Sequence, residues 1–162
     1  MAGPGGKRMA EQIKIGDTAP DFRLKDQRGN DVTLSGLRGK KVLLSFHPLA
    51  WTSVCARQMK GLERNFERFR KLGVVPLGLS VDSVPTKSAW ARHLRVRRLR
   101  LLSDFWPHGD YARRLGLFIE EKGFSNRANV LLDEEGKMIW MKVYPIPELP
   151  DLKEVFAVLK EH

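Results

Sequence analysis

Apolar residues recur along this chain with two periods. Val42-Leu43-Leu44-Ser45-Phe46 and Val74 to Val81 are short, nearly continuous apolar runs, the pattern of strands buried on both faces. Between them Met59, Leu62, Phe66 and Phe69 recur at intervals of 3, 4 and 3, which predicts one helical stripe ended by Gly73. Pro76 lacks a ladder donor and therefore belongs at the beginning of its strand or on an edge. Ser83 can N-cap a helix near Pro85 to Leu94, with proline in the first turn. Leu99 to Leu102 predicts a third, shorter strand, and Pro107 to Asp110 opens a short helix through Arg114, ended at Gly116. Two hairpins flank this core. Phe22-Arg23-Leu24 and Asp31 to Leu34 are joined by the turn Asp26 to Asn30, and Asn129 to Asp133 and Met138 to Val143 by Glu134-Glu135-Gly136-Lys137. Ser35 to Gly39 is a turn, after which Lys40 opens the first core strand. Asp151 to Lys160 is an amphipathic helix with Leu152, Val155, Phe156 and Leu159 on one face. The resulting order is hairpin, β, α, β, α, β, short α, hairpin, α. It predicts an α/β protein in which helices flank a mixed central sheet that carries an N-terminal β-hairpin.

The 162 residues suit one domain with a sizeable core, here 13–162, preceded by an arm over 1–12. The opening Met1 to Met9 has no apolar stretch of the kind a secretory signal needs. It reads as a disordered arm, a vector-derived extension, or a segment ahead of a second start at Met9. The longest largely apolar run, Leu72 to Val81, has ten residues, against the about 20 that span a bilayer. No membrane association is expected. A single cysteine excludes an internal disulfide and favours a reducing, cytoplasmic setting. The chain carries 29 Lys+Arg against 19 Asp+Glu, net +10. Residues 87–102 hold Lys87, Arg92, Arg95, Arg97, Arg98 and Arg100 and no acid, +6 over 16 residues. Such a run suits an anionic partner, but a solvated helix–strand connection is the favoured reading, and nucleic acid is not the expected partner.

Candidate chemistry concentrates in His47-Pro48-Leu49-Ala50-Trp51-Thr52-Ser53-Val54-Cys55. An apolar strand leads in and a helix leads out, which sets the only thiol in a first helical turn. Free N–H groups and the positive end of the helix dipole there favour thiolate, the nucleophilic form. A thiolate facing an O–O bond can displace alkoxide or hydroxide and become sulfenic acid. The Thr52 hydroxyl can point at the sulfur or serve as the N-cap, and Pro48, without an N–H, can wall the sulfur from water. A cation is also required. Arg127 lies just before the strand expected to run beside the one leading to Cys55. The four histidines lack metal-ligand spacing, and no nucleotide fingerprint is present.

The spacing Pro48-x-x-x-Thr52-x-x-Cys55 resembles the signature of the peroxiredoxin family. Pro48-Leu49-Ala50-Trp51-Thr52 and Leu102-Ser103-Asp104-Phe105-Trp106-Pro107-His108-Gly109 resemble its one-cysteine alkyl hydroperoxide reductase E group, and Gly123-x-x-x-Arg127 matches the family's arginine segment. The likeness covers residues 13 to about 160. It implies a thioredoxin-like fold, a catalytic set of Cys55, Thr52, Arg127 and Pro48, and no flavin, haem, metal or other cofactor. Two positions depart from the family pattern. His47 stands where an aromatic such as Tyr is common and could tune the pocket or be an ordinary strand-end histidine. Gln58 stands where many members carry Glu, leaving Arg127 more available to the sulfur. Trp51 and Trp106 could line the entry or pack in a core or dimer interface.

The implied activity is a thiol-dependent peroxidase acting on hydrogen peroxide, organic hydroperoxides or peroxynitrite. With no resolving cysteine, its sulfenic acid requires an external reductant: a small thiol, a glutaredoxin-like or thioredoxin-like protein, or a second subunit. The resemblance also implies a homodimer. Other uses of the same scaffold are polyanion binding through the basic stretch, or a redox sensor or chaperone in which sulfenylation is the signal.

Overall fold

The computed structural model describes residues 11–162. The expected arm therefore lies almost wholly outside the described residues. Within them, Ile13 is buried and its N–H donates to the Leu115 carbonyl at 3.0 Å.

The strands are β1 (Arg23–Lys25), β2 (Asp31–Thr33), β3 (Lys41–Phe46), β4 (Val74–Ser80), β5 (Arg100–Ser103), β6 (Phe118–Ile119), β7 (Phe124–Ser125), β8 (Arg127–Leu132) and β9 (Met138–Tyr144). The helices are α1 (Ser53–Arg64), α2 (Phe66–Lys71), α3 (Val84–Leu94), α4 (Asp110–Arg114) and α5 (Leu152–Lys160). Seven strands form one mixed sheet in the order β2-β1-β5-β4-β3-β8-β9, and β6 and β7 pair separately. The neighbours β3/β4 and β4/β5 run parallel, whereas β3/β8 and β8/β9 are antiparallel. The architecture is the expected mixed sheet flanked by helices, with the N-terminal hairpin β1–β2 at one edge.

Strand periodicity divides the core. On β3, Val42, Leu44 and Phe46 join Tyr111, Ala112 and Phe118 on one face of the sheet. Leu43 points the other way, to Cys55, Met59 and Leu62 of α1, Phe69 of α2, Trp90 of α3 and Phe156 of α5. All six residues of β8 are buried, as befits a central strand covered on both faces. Each fully buried leucine or phenylalanine here contributes about 1.5–3 kcal/mol relative to exposure.

Three local features differ from, or refine, the sequence reading. The single helical stripe after Cys55 is two helices that meet at Asn65 (φ −100°, ψ 10°). The Asn65 side chain donates to the Gly61 carbonyl at 2.8 Å, a local bond that competes with continued helix. The β6–β7 pair was not predicted, because two-residue strands carry no readable alternation. Pro76 is the third residue of β4, opposite Leu43 of β3, and the ladder to β5 begins only at Leu77. Its missing N–H therefore costs no bond to β5.

At Gly78 sheet and helix approach closely. A Cβ there would lie 2.5 Å from Met59 Sδ, 3.0 Å from Leu101 Cδ2 and 3.4 Å from His47 Cε1. The bare backbone lets α1 and His47 settle against β4. Gly78→Val should therefore lower stability by about 1–3 kcal/mol through overpacking, read as a lower urea midpoint at unchanged slope. A variant as stable as the parent would show that this contact is loose.

Candidate active site

Cys55 is the third residue of α1 and is 0% exposed. Thr52 is the N-cap in extended conformation (φ −105°, ψ 152°), and the first helical bond runs from Ala56 N–H to the Thr52 carbonyl at 2.9 Å. The N–H groups of Ser53, Val54 and Cys55 thus lack intrahelical acceptors, no side chain caps them, and no acid occupies the first turn. The positive helix end faces the thiol without a competing anion on its own helix. Asp82, just beyond β4, fastens the loop by accepting from Ala50 N–H at 2.8 Å and from the Ser80 hydroxyl at 2.6 Å. Trp51 within this loop has a left-handed φ of 69°, a rarely populated conformation for a bulky side chain.

Antiparallel pairing brings the arginine. The β3–β8 register sets Ser45 opposite Asn129 and Phe46 opposite Ala128; carried one residue further, it sets His47 opposite Arg127. With side chains alternating, Ser45 and His47 share a face with Asn129 and Arg127, the face that α1 covers. Arg127 is 2% exposed. Its Nη1 donates to Cys55 Sγ at 3.3 Å and to Gln58 Oε1 at 2.7 Å, while its Nε donates to the Ile146 carbonyl at 2.8 Å. Gln58 Nε2 donates in turn to Ser45 Oγ at 2.7 Å and to the Phe46 carbonyl at 3.2 Å, and Ser45 Oγ donates to Asn129 Oδ1 at 2.7 Å. A continuous chain of bonds from the sheet thereby aims one guanidinium at one sulfur. The amide of Gln58 both accepts from the arginine and donates to the sheet; a carboxylate could only accept.

The structure brings Cys55, Arg127, Gln58, Pro48 and His47 into one buried region. Thr52 is exposed, and its hydroxyl donates to the Leu49 carbonyl at 2.8 Å and accepts from no helix N–H, so it caps α1 by backbone position only. Trp51 is 52% exposed, its ring 5.1 Å from that of His93. Trp106 does not join the site. It is 82% exposed and lines a surface groove with Arg23, Lys25 and Pro85. The reason is topological: β5 lies two strands from β3 and beside β1, so the Phe105-Trp106 turn emerges toward the N-terminal hairpin.

Lys87 was misread from the sequence as part of a surface charge run. Arg92, Arg95, Arg97, Arg98 and Arg100 are exposed, but Lys87 is 0% exposed, with Nζ 3.3 Å from His47 Nε2. Burial above all, then the positive charges of Lys87 and Arg127, push the His47 imidazole well below its usual range. His47 is therefore neutral at physiological pH. Ser45, Asn129 and Lys87 were all overlooked. The available signals were Ser45 and Asn129 as isolated polar positions in apolar strands, in phase with His47 and Arg127. Lys87 gave no comparable signal, because its burial depends on where α3 crosses the sheet.

A fully buried thiol at a helix start, faced by a buried guanidinium on a thioredoxin-like frame, defines a thiol-based redox enzyme. Residues 15–141 match the model of the AhpC/TSA family. The chain is 41% identical over 125 residues to alkyl hydroperoxide reductase E of Mycobacterium tuberculosis, covering 76% of this chain and 81% of that protein. It is 35% identical over 133 residues to peroxiredoxin Bcp of Escherichia coli, covering 78% and 83%. Among solved structures, peroxidoxin BcpB from Mycobacterium tuberculosis superimposes with a TM-score of 0.81 at 25% identity, over 93% of this chain and 98% of that one. The chain belongs to the AhpC/TSA family, the peroxiredoxins, and is a thiol-dependent peroxidase with a single cysteine. The family uses peroxide substrates and thiol reductants and commonly forms dimers. Among the described residues no helix is long and apolar enough to cross a membrane.

Placing a carboxylate at position 58 should weaken the site. In Gln58→Glu the new anion sits against Arg127 and near the sulfur, and a like charge disfavours thiolate. Oxidation of Cys55 by hydrogen peroxide near neutral pH, followed by stopped-flow fluorescence, should slow by roughly three- to tenfold. An unchanged rate would mean that Gln58 does not govern how much of the Arg127 charge reaches the sulfur.

Proposed function

We propose that Cys55 is the peroxidatic nucleophile and Arg127 the group that activates it, with Pro48 and Thr52 completing the site. The observation that carries this reading is the 3.3 Å contact from Arg127 Nη1 to Cys55 Sγ inside a buried network. A guanidinium stays charged at all relevant pH, and in a low-dielectric pocket its pull on a thiolate is far stronger than in water. The thiolate attacks the distal oxygen of ROOH. An S–O bond forms as the O–O bond breaks, sulfur is oxidised to sulfenic acid, and RO⁻ leaves to take a proton from solvent as ROH. Negative charge moves from sulfur to the departing oxygen, and Arg127 with the free first-turn N–H groups of α1 faces that path. Pro48, buried and without an N–H, keeps water from the sulfur. The Thr52 hydroxyl can exchange its bond to Leu49 for one to the peroxide.

Turnover then draws on an external thiol. The first thiol displaces water from the sulfenic acid to give a mixed disulfide, and a second releases Cys55 as thiol. The names of the relatives support organic hydroperoxides among the substrates, with hydrogen peroxide and peroxynitrite sharing the same O–O chemistry. Exposed Leu49 and Trp51 beside the thiol loop suit an apolar substrate entry or a homodimer contact. A lone free thiol agrees with a reducing cytoplasm.

Without reductant, the protein should consume one equivalent of peroxide per chain in a first fast phase and gain a sulfenic acid trappable by a cyclic diketone, with slower consumption by excess peroxide reporting sulfinic acid. Cys55→Ser should abolish consumption. Arg127→Met should slow Cys55 oxidation by about 10²–10³-fold, as for loss of a transition-state charge donor. Peroxide reduction at the parent rate by Cys55→Ser would overturn the assignment.

A further inference from the structure

We propose that Lys87 is a buried cationic positioning residue of the Cys55 site, acting through His47 on the loop that carries the thiol. The inference rests on the peroxidase reading above and concerns the pH range over which the thiol is kept reactive.

The geometry has three parts. Lys87 comes from α3 and Arg127 from β8, so two buried cations reach one site from different elements. Lys87 Nζ lies 3.3 Å from His47 Nε2, and among the described residues it has no carboxylate within ion-pair distance. His47 immediately precedes Pro48, and its ring also packs on Trp90 of α3 at 5.4 Å. An ammonium only donates, so charged Lys87 holds His47 as the Nε2 acceptor with its proton on Nδ1. Nδ1 is buried without a hydrogen-bond partner, so the Lys87 contact is what sets the tautomer at the root of the thiol loop.

An ion buried without a direct counter-ion is costly. The charged groups that face Lys87 are Asp82 after β4, Cys55 on α1 and Asp104 after β5, and Arg127 of β8 faces His47. Asp82 is committed to Ala50 N–H and the Ser80 hydroxyl, and Asp104 to the N–H groups of Tyr111 and Ala112 at 3.0 Å each. Burial lowers the Lys87 ammonium to about 7, while Asp82, the Cys55 thiolate and Asp104 hold it up. Below that pH the ammonium supports thiolate. As pH rises through it, Lys87 becomes a neutral amine and the support is withdrawn. Each charge stabilises the other, so ammonium with thiolate and amine with thiol are two forms of equal net charge within one pocket.

This has a pH signature that a packing role lacks. Stopped-flow tryptophan fluorescence would follow Cys55 oxidation by hydrogen peroxide in the parent and in Lys87→Met, from about pH 5 to about pH 9.5. Thiolate absorbance would be titrated in parallel without peroxide. Lys87→Met should be roughly three- to tenfold slower near pH 6, with a raised thiolate midpoint, and should converge on the parent rate near pH 9.5, where Lys87 is neutral in any case. Equal slowing at every pH, or an unmoved thiolate midpoint, would overturn the proposal. Should Lys87→Met fail to fold, lysine Nζ resonances can be titrated by NMR in the parent and in Cys55→Ser. One lysine titrating near neutrality, with a lower midpoint once the thiol is gone, supports the proposal; lysines that all titrate above about pH 9, or a midpoint indifferent to Cys55, reject it. A parent that ignores peroxide while its thiolate midpoint still depends on Lys87 would defeat the peroxidase assignment and leave this inference standing.

Discussion

A guanidinium that cannot lose its proton lies in the interior, 2% exposed, and the site is built to satisfy it. Arg127 receives a backbone carbonyl from Ile146, an amide oxygen from Gln58 and the sulfur of Cys55. Two of these partners are neutral. The sulfur alone can supply a full opposite charge by ionising, so the desolvation cost of the arginine becomes a drive toward thiolate. The same contact therefore serves stability and reactivity. It also explains why the polar chain Asn129–Ser45–Gln58 runs through otherwise apolar core: each bond fixes the next, and the last fixes the arginine.

Local charge is arranged to the same end. The first turn of α1 carries no acid, Gln58 replaces a possible carboxylate, and Asp82 Oδ2 accepts from the loop backbone and from Ser80. Positive groups approach the thiol from β8, from α3 and from the helix end, while burial and its two cationic neighbours keep His47 neutral. The basic stretch 87–102 contributes Lys87 to this interior and leaves its arginines on the surface, where Arg98 pairs with Glu67 at 3.3 Å.

The fold was legible to the extent that short-range patterns dictate it. Short apolar runs, alternation and period-3.6 spacing located β3, β4, β5, β8 and β9 and the major helices, and Ser83 and Asp151 marked two helix starts whose side chains do accept the capping bonds. The reading missed where side chains compete with the backbone, as Asn65 does, and where strands are too short to alternate, as β6 and β7 are. At the site, Cys55 and Pro48 were visible through spacing. Arg127 was visible through its place ahead of an apolar strand. Trp106 was read as lining the entry or packing in a core or dimer interface, and strand order puts it on the surface beside the N-terminal hairpin.

The sequence by itself determined the identity of the thiol, its position in a first helical turn, the arginine at the start of an apolar strand and the absence of a second cysteine. These are local facts, set by spacing along the chain. Tertiary structure decided which polar groups meet. The β3–β8 register, long-range and antiparallel, put Arg127 and Asn129 on the face of His47 and Ser45, and a slip of one residue would have turned both away. The crossing of α3 over the sheet took a lysine that reads as surface charge and buried it against His47. Charge on a side chain can be counted in a sequence, but its energy depends on the dielectric around it and on its partners, and packing alone supplies those.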